Sequence, residues 1–195
     1  MIGRREFIKL TQMALPLVLA GFEIGLFPGA AFAESPLAPE KNPPGDIPDT
    51  QVFVDYASPG HFTLKVPEGW ARTDGAGTVS FADKLDGVSV TLTPAAQAPT
   101  IDAVKAEYVS AMLRDGRAVE VASVTTRKLP AGPAILIAYT LNSEPNAVTN
   151  KQIRLEANRY LLFRDGELAT LDLYAPQGAD NVDQWQLMSR SFQWQ

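Results

Sequence analysis

Alternating apolar and polar residues dominate the chain after residue 52, and that period of two predicts strands. Phe62, Leu64 and Val66 share one face of a strand from His61 to Val66, which Pro67-Glu68-Gly69-Trp70 ends with turn chemistry. From Val79 to Thr93 the alternation is interrupted by Asp86-Gly87, a strong hairpin dipeptide. A two-residue turn there sets Leu85 against Val88, Asp83 against Val90 and Phe81 against Leu92. The other side of this hairpin carries Ser80, Ala82, Lys84, Ser89, Thr91 and Thr93.

The period changes to three and four between Thr100 and Asp115. Ile101, Val104, Tyr108 and Met112 form one stripe, Thr100 is placed to cap, Asp102 suits the positive helix start and Gly116 stops the helix. Strands follow at Val119–Lys128 and Pro133–Leu141, joined by Leu129-Pro130-Ala131-Gly132. Ala134-Ile135-Leu136-Ile137-Ala138-Tyr139 is apolar on both faces, as in a central strand covered on both sides. A polar loop from Asn142 to Asn150 leads to Lys151–Arg164, where Gln152, Arg154, Glu156 and Asn158 alternate with Ile153, Leu155 and Ala157. A second hairpin turn at Asp165-Gly166 leads into Leu168–Tyr174 and places Arg159 opposite Asp172, an ion pair across strands. Asp180 or Asn181 caps a last helix with Val182, Trp185, Met188 and Phe192 on its apolar side. Phe192-Gln193-Trp194-Gln195 reads as a final short strand. The order of elements predicts an α+β domain, an antiparallel β-sheet flanked by helices.

Composition narrows the possibilities. The chain of 195 residues has no cysteine, which excludes disulfides, thiolate metal sites, a cysteine nucleophile and a lipid anchor on cysteine. The 17 residues from 34 to 50 contain five prolines, so residues 34–51 read as a flexible tether ahead of one domain spanning 52–195. Before the tether stand Arg4-Arg5-Glu6-Phe7-Ile8-Lys9, an apolar run, and Ala31-Phe32-Ala33. A charged start, an apolar middle and a small-x-small end describe a secretory signal peptide over residues 1–33, cleaved after Ala33. Pro16, Glu23 and Pro28 interrupt the apolar run, which favours cleavage over retention as a membrane anchor. The Arg4-Arg5 pair with Phe7-Ile8-Lys9 resembles the bacterial twin-arginine signal, with Gly3 in place of Ser or Thr and Ile8 in place of Leu. Export through the twin-arginine machinery is the expectation. Loss of three basic and two acidic residues with this segment turns the net charge of −5 into −6, which argues against nucleic acid and anionic lipid as partners.

The segment Phe62-Thr63-Leu64-Lys65-Val66-Pro67-Glu68-Gly69-Trp70 resembles the "F-x-L-x-x-P-x-x-W" opening of PsbP-like proteins, the extrinsic photosystem II subunits and their bacterial relatives. Val88-Ser89-Val90-Thr91-Leu92-Thr93-Pro94 resembles that family's "V-S-V-x-V-x-P" strand. The hairpin Tyr160–Gly166 and the closing Ser191-Phe192 fit it as well. The resemblance covers residues 52–195 and implies an α/β/α sandwich with a non-enzymatic accessory or assembly role. With the signal, it implies a bacterial periplasmic or other extracytoplasmic location, the thylakoid lumen being the alternative.

Candidate chemistry is sparse. His61 is the only histidine, so a metal ligand or general base would fall there, and a Ser-His-Asp triad would have to include it. No G-x-S-x-G elbow is present, and Ser58-Pro59-Gly60 reads as a turn. Asp83 with Asp86, and Asp180 with Asp183, are carboxylate pairs that a hard cation accepts, although turn and cap roles also explain them. Arg127, Lys128, Arg154, Arg159 and Arg164 suggest either a basic stripe for an acidic partner or a charged sheet edge. Trp70, Trp185 and Trp194 are core or pocket-lining candidates. The loop after the most buried strand gives the expected partner-binding residues Asn142, Asn146, Lys151 and Arg154. No cofactor is expected. The leading reading is a binding protein that contacts an envelope protein or membrane complex; the alternative is a carrier of a small apolar ligand in the cell envelope.

Overall fold

A computed structural model describes residues 34–195. The expected signal segment, with Arg4, Arg5, Ala31 and Ala33, lies outside the described residues. The domain is α+β, as the element order predicts. A seven-stranded antiparallel sheet contains β3 (Ala71–Gly75), β4 (Thr78–Asp83), β5 (Asp86–Pro94), β6 (Glu120–Leu129), β7 (Gly132–Asn142), β8 (Arg154–Arg164) and β9 (Glu167–Pro176). Its spatial order is β3-β4-β5-β9-β8-β7-β6. A small second sheet, which the sequence pattern does not announce, has β2 (Phe62–Pro67) between β1 (Phe53–Ser58) and β10 (Gln193–Trp194).

Two helical segments cover this frame. The first, α1, is α-helical at Ile101–Ala103 and Val109–Asp115 and wound as a π-helix at Val104–Tyr108 between them. Thr100 caps it as expected, its hydroxyl accepting the Ala103 N–H at 3.2 Å. The apolar side of α1 packs on Ile135, Ile137, Tyr139, Ala157 and Leu161, closing one face of the sheet over β7 and β8. The second helix, α2 (Val182–Ser191), lies on the opposite face with the small sheet. There Phe62, Leu64, Trp185, Met188 and Phe192 pack against Val79, Phe81, Val88, Val90, Leu171 and Leu173. The Phe62 and Phe192 rings stack with centroids 5.2 Å apart, fixing the small sheet to the end of α2.

The second hairpin forms as expected. Asp165 and Gly166 have φ of 50° and 85°, the left-handed pair that a two-residue turn requires. Arg159 faces Asp172 in this register, and its Nε and Nη2 donate to the two carboxylate oxygens at 2.5 and 2.8 Å. The first hairpin differs from expectation. Its turn is Lys84-Leu85, with Asp83 opposite Asp86, Phe81 opposite Val88 and Val79 opposite Val90. Phe81 and Leu92 still share a face, because the register moves by an even number of residues. Lys84 takes the positive φ of 52°. Gly87 serves packing rather than turning: a Cβ there would lie 2.1 Å from Cζ of Tyr174 on the neighbouring strand.

The proline-rich segment has no helix or strand, yet it is not a free tether. Ile47 is buried in the main core. Asn181 takes the N-cap position of α2, as expected, but its side chain makes no capping bond and holds this segment instead. Its Oδ1 accepts from Ile47 N at 2.6 Å and its Nδ2 donates to Gly45 O at 2.8 Å. Gln184 of α2 donates to Ile47 O at 3.0 Å. Residues 34–50 therefore form a strap along one end of the sheet. Asp86 lies beneath it, 6% exposed, and its Oδ1 has no hydrogen-bond partner. Burial first, then the nearby Asp83 and Asp46 carboxylates, push the Asp86 carboxyl up to about 7 against the opposing pull of Lys84.

Gly87→Ala should cost about 1–3 kcal/mol in chemical denaturation, the usual penalty for overpacking. Tyr174→Ala in the same chain should recover part of that cost in a double-mutant cycle. The folded state holds the Asp86 proton more tightly than the unfolded chain, so unfolding free energy should fall as pH rises from 3.8 to about 7 and level off above. Asp86→Asn should flatten that slope; an unchanged slope would place the titration elsewhere.

Candidate functional site

A broad concavity arises where the α2 face of the large sheet runs beyond its cover. Ala138 of β7 pairs with Asn158 of β8, between the pairs Leu136–Tyr160 and Thr140–Glu156. All six side chains stand on the α2 face, and the small pair in the middle leaves a depression. Val182, Trp185 and Gln186 of α2 form one wall, Gln177, Ala179 and Asn181 close one end, and Ala122 and Arg127 of β6 form the far rim. The resulting cleft has a volume of about 520 Å³ and opens to solvent. That volume falls within the range of small-molecule and peptide pockets. Its walls are mixed: aromatic at Tyr160 and Trp185, amide at Asn158 and Gln186, acidic at Glu156 and basic at Arg127. Glu156 is partly committed, because its Oε1 accepts the Gly178 N–H at 3.1 Å.

Of the expected partner-binding residues, two are internal. Asn142 is 1% exposed and is the hub between sheet and strap. Its Nδ2 donates to Glu34 Oε1 at 2.8 Å and Ser35 O at 2.9 Å, while its Oδ1 accepts from Leu37 N and Arg154 Nη1, both at 3.1 Å. The Asn142 bond, outweighing burial, holds the Glu34 carboxyl below its ordinary value, with help from Gln152 and Arg117. Arg154 is also buried, donating to Ala118 O and Glu120 Oε2 at 2.6 Å and to Thr140 Oγ1 at 2.5 Å. Its guanidinium stands two positions beyond Glu156 and braces that end of the sheet. Neither side chain is free to meet a partner. Asn146 and Lys151 are exposed. Asn146 Oδ1 organises its own loop by accepting from Val148 N and Thr149 N at 3.0 Å, which leaves Val148 92% exposed at the tip. Lys151 is paired with Glu40 of the strap.

The other candidates are placed apart. His61 is half-exposed with its Nδ1 3.2 Å from the Glu167 carboxylate, on the rim of a second groove of about 340 Å³ floored by Phe62, Val79, Val90 and Leu92. Ser58 belongs to the adjoining turn, its carbonyl accepting the His61 N–H at 3.0 Å. Asp83 is exposed while its partner Asp86 is buried, and the Asp180 N–H donates to Asp46 Oδ1 at 2.9 Å. Among the described residues, no three His, Cys, Asp or Glu side chains are grouped to hold a metal ion.

The basic residues do not form one stripe. Arg154 stands on the α2 face and is buried. Arg159 stands on the α1 face beneath the rings of Tyr108 and Tyr139, each 5.6 Å from its guanidinium. Burial opposes the Arg159 charge, but the Asp172 carboxylate outweighs it and the net shift is upward. Arg164 lies over the Trp194 ring at 5.1 Å. Only Arg127 and Lys128, adjacent on β6, remain exposed together. Trp185 is a core residue that also walls the cleft, whereas Trp70 and Trp194 pack at the core's margin.

The cleft was missed from the sequence, although a signal for it existed. Asn158 and Glu156 alternate with buried neighbours, and a polar face on a central strand marks a face without a cover. No family model matches the chain, and no curated protein matches it in sequence. Solved structures do match in fold. The solution structure of cyanobacterial PsbP (CyanoP) from Synechocystis superposes with a TM-score of 0.55 at 16% identity, covering 77% of this chain and 98% of that one. The Saccharomyces cerevisiae Ran-binding protein Mog1p gives 0.49 at 11% identity, over 73% of this chain and 95% of its own. LpqN of Mycobacterium tuberculosis, involved in cell envelope biogenesis, gives 0.44 at 12% identity, over 74% and 90%. At these identities the likeness is one of architecture: the chain has a PsbP-like α+β fold.

Proposed function

We propose that this protein is an exported, non-enzymatic accessory or assembly factor of PsbP-like type that works through protein–protein contacts outside the cytoplasm. The observation that carries this reading is the cleft on the α2 face. It is broad, open and walled by aromatic, amide and charged side chains, the mixture that protein-recognition surfaces use. Tyr160 and Trp185 are the anchoring aromatics of such a surface, and Arg127 and Glu156 set its charge pattern. The likeness of fold to CyanoP supports the accessory role. The exposed loop tip at Asn146, Val148 and Lys151 follows the same strand ends and extends the contact surface in this reading.

The alternative occupant is a small apolar molecule, favoured by the volume of about 520 Å³ and the Leu136, Ala138 and Tyr160 floor. The two readings separate by crosslinking in the cell that makes the protein. A photoreactive amino acid at Gln186, on the cleft wall, should give discrete protein adducts, and one at Lys84, on the β4–β5 turn, should give none. Lipid or small-molecule adducts alone at Gln186 would favour the carrier. Equal labelling from both positions would remove the cleft from the account.

A further inference from the structure

The large sheet has two free edges, and they differ. The β3 edge has five residues, of which Arg72 and Asp74 are charged and mutually paired at 2.7 Å. Short length and charge are the usual protections of an edge strand. The β6 edge has ten residues. Its centre, Val121-Ala122-Ser123-Val124-Thr125-Thr126, contains no charge and no proline; four of the six are β-branched, and a bulge lies between Val121 and Ser123. The charges lie at the ends: Glu120 at the start, Arg127 and Lys128 near the finish.

We propose that β6 is a homotypic interface, pairing antiparallel with β6 of a second copy of this chain. The β6 edge is self-complementary. A two-fold axis at Val124 sets Ser123 of one copy against Thr125 of the other. Beyond the bulge, the same pairing sets Glu120 against Arg127. In this chain Glu120 is opposite Thr140 and Arg127 opposite Ala134, both even-numbered positions of β7, so the two charges stand on the same face of the sheet. Each copy then contributes one Glu120 and one Arg127, and the interface gains two opposite-charge pairs at its margins around an uncharged middle. Glu120 already balances the buried Arg154 at 2.6 Å, whereas Arg127 makes no ion pair among the described residues. The incoming carboxylate answers that unbalanced charge. The seven-stranded sheet becomes continuous across the axis, and Arg127, a rim residue of the cleft, is fixed beside the second copy's Glu120. This pairing is independent of what occupies the cleft.

Strand addition at one edge buries a small area, so the association is expected to be reversible and micromolar. Sedimentation equilibrium of the purified protein, from about 1 to about 500 µM, measures it. A monomer–dimer equilibrium is expected. Arg127→Glu turns two attractions into repulsions and should weaken the dimer about tenfold or more. Lys105→Glu, the same charge change on the exposed side of α1, should leave it unchanged. Ser123→Lys, at an exposed position beside the axis, should give a monomer with an unaltered unfolding midpoint. A wild-type protein that stays monomeric throughout overturns the proposal. So does a dimer indifferent to both Arg127→Glu and Ser123→Lys, which would associate through another surface.

Discussion

A seven-stranded sheet has two faces to shield, and the covers available to this chain are narrower than the sheet. At about 4.8 Å between strands the sheet is about 29 Å wide, whereas one helix spans about 10–12 Å. The covers are therefore offset. α1 shields β7 and β8 on one face. α2 and the small sheet shield β4, β5, β9 and part of β8 on the other. Where a cover is missing, the strands turn polar or small. Thr78, Ser80, Ser89 and Thr91 fill the bare part of the α1 face, with the Thr78 and Thr91 hydroxyls 3.0 Å apart. Ala138, Asn158, Thr140 and Glu156 fill the bare part of the α2 face and make the cleft.

The boundary between covered and bare sheet on the α1 face is held by a charge pair. Arg159 and Asp172 lie where the apolar cluster under α1 gives way to the hydroxyl-lined strands. A bidentate pair satisfies both groups where neither full hydration nor an apolar contact is available. The π-helical turn of α1 ends at Tyr108, whose ring and hydroxyl meet the same guanidinium, the latter at 3.4 Å. The irregular turn and the ion pair therefore belong to one local arrangement, with Tyr139 beneath it. Burial, more than the nearby Asp172 charge, raises the Tyr139 phenol above its ordinary range.

Much of this architecture was legible from local rules. The Asp165-Gly166 turn, the Arg159–Asp172 register, the Thr100 cap and the face shared by Phe81 and Leu92 all depend on neighbours in sequence or on strict alternation. What failed depends on contacts made at a distance. Asp86-Gly87 reads as a turn, but Gly87 is needed for the close approach of Tyr174. Asn181 does stand at the cap position, but its side chain is engaged by Ile47, 134 positions away, rather than by the helix. The prolines of the strap exclude helix and strand, but they do not reveal that Asn142, Asn181 and Gln184 would hold it. Asn142 and Arg154 look like surface polar residues, and only the tertiary structure shows that each satisfies the other. The cleft is the least legible feature, because it is defined by where α2 ends relative to the sheet.

The central claim is that the uncovered part of the α2 face is kept open for recognition rather than left over from packing. Ala138→Leu tests it most directly, because it fills the cleft with an apolar side chain on an existing floor. The photoreactive group at Gln186 provides the readout, alongside the unfolding midpoint. The account predicts an unchanged or raised midpoint together with loss of the crosslinked adduct, as expected where stability and binding compete for one surface. An adduct undiminished by Ala138→Leu in a fully folded protein would contradict it.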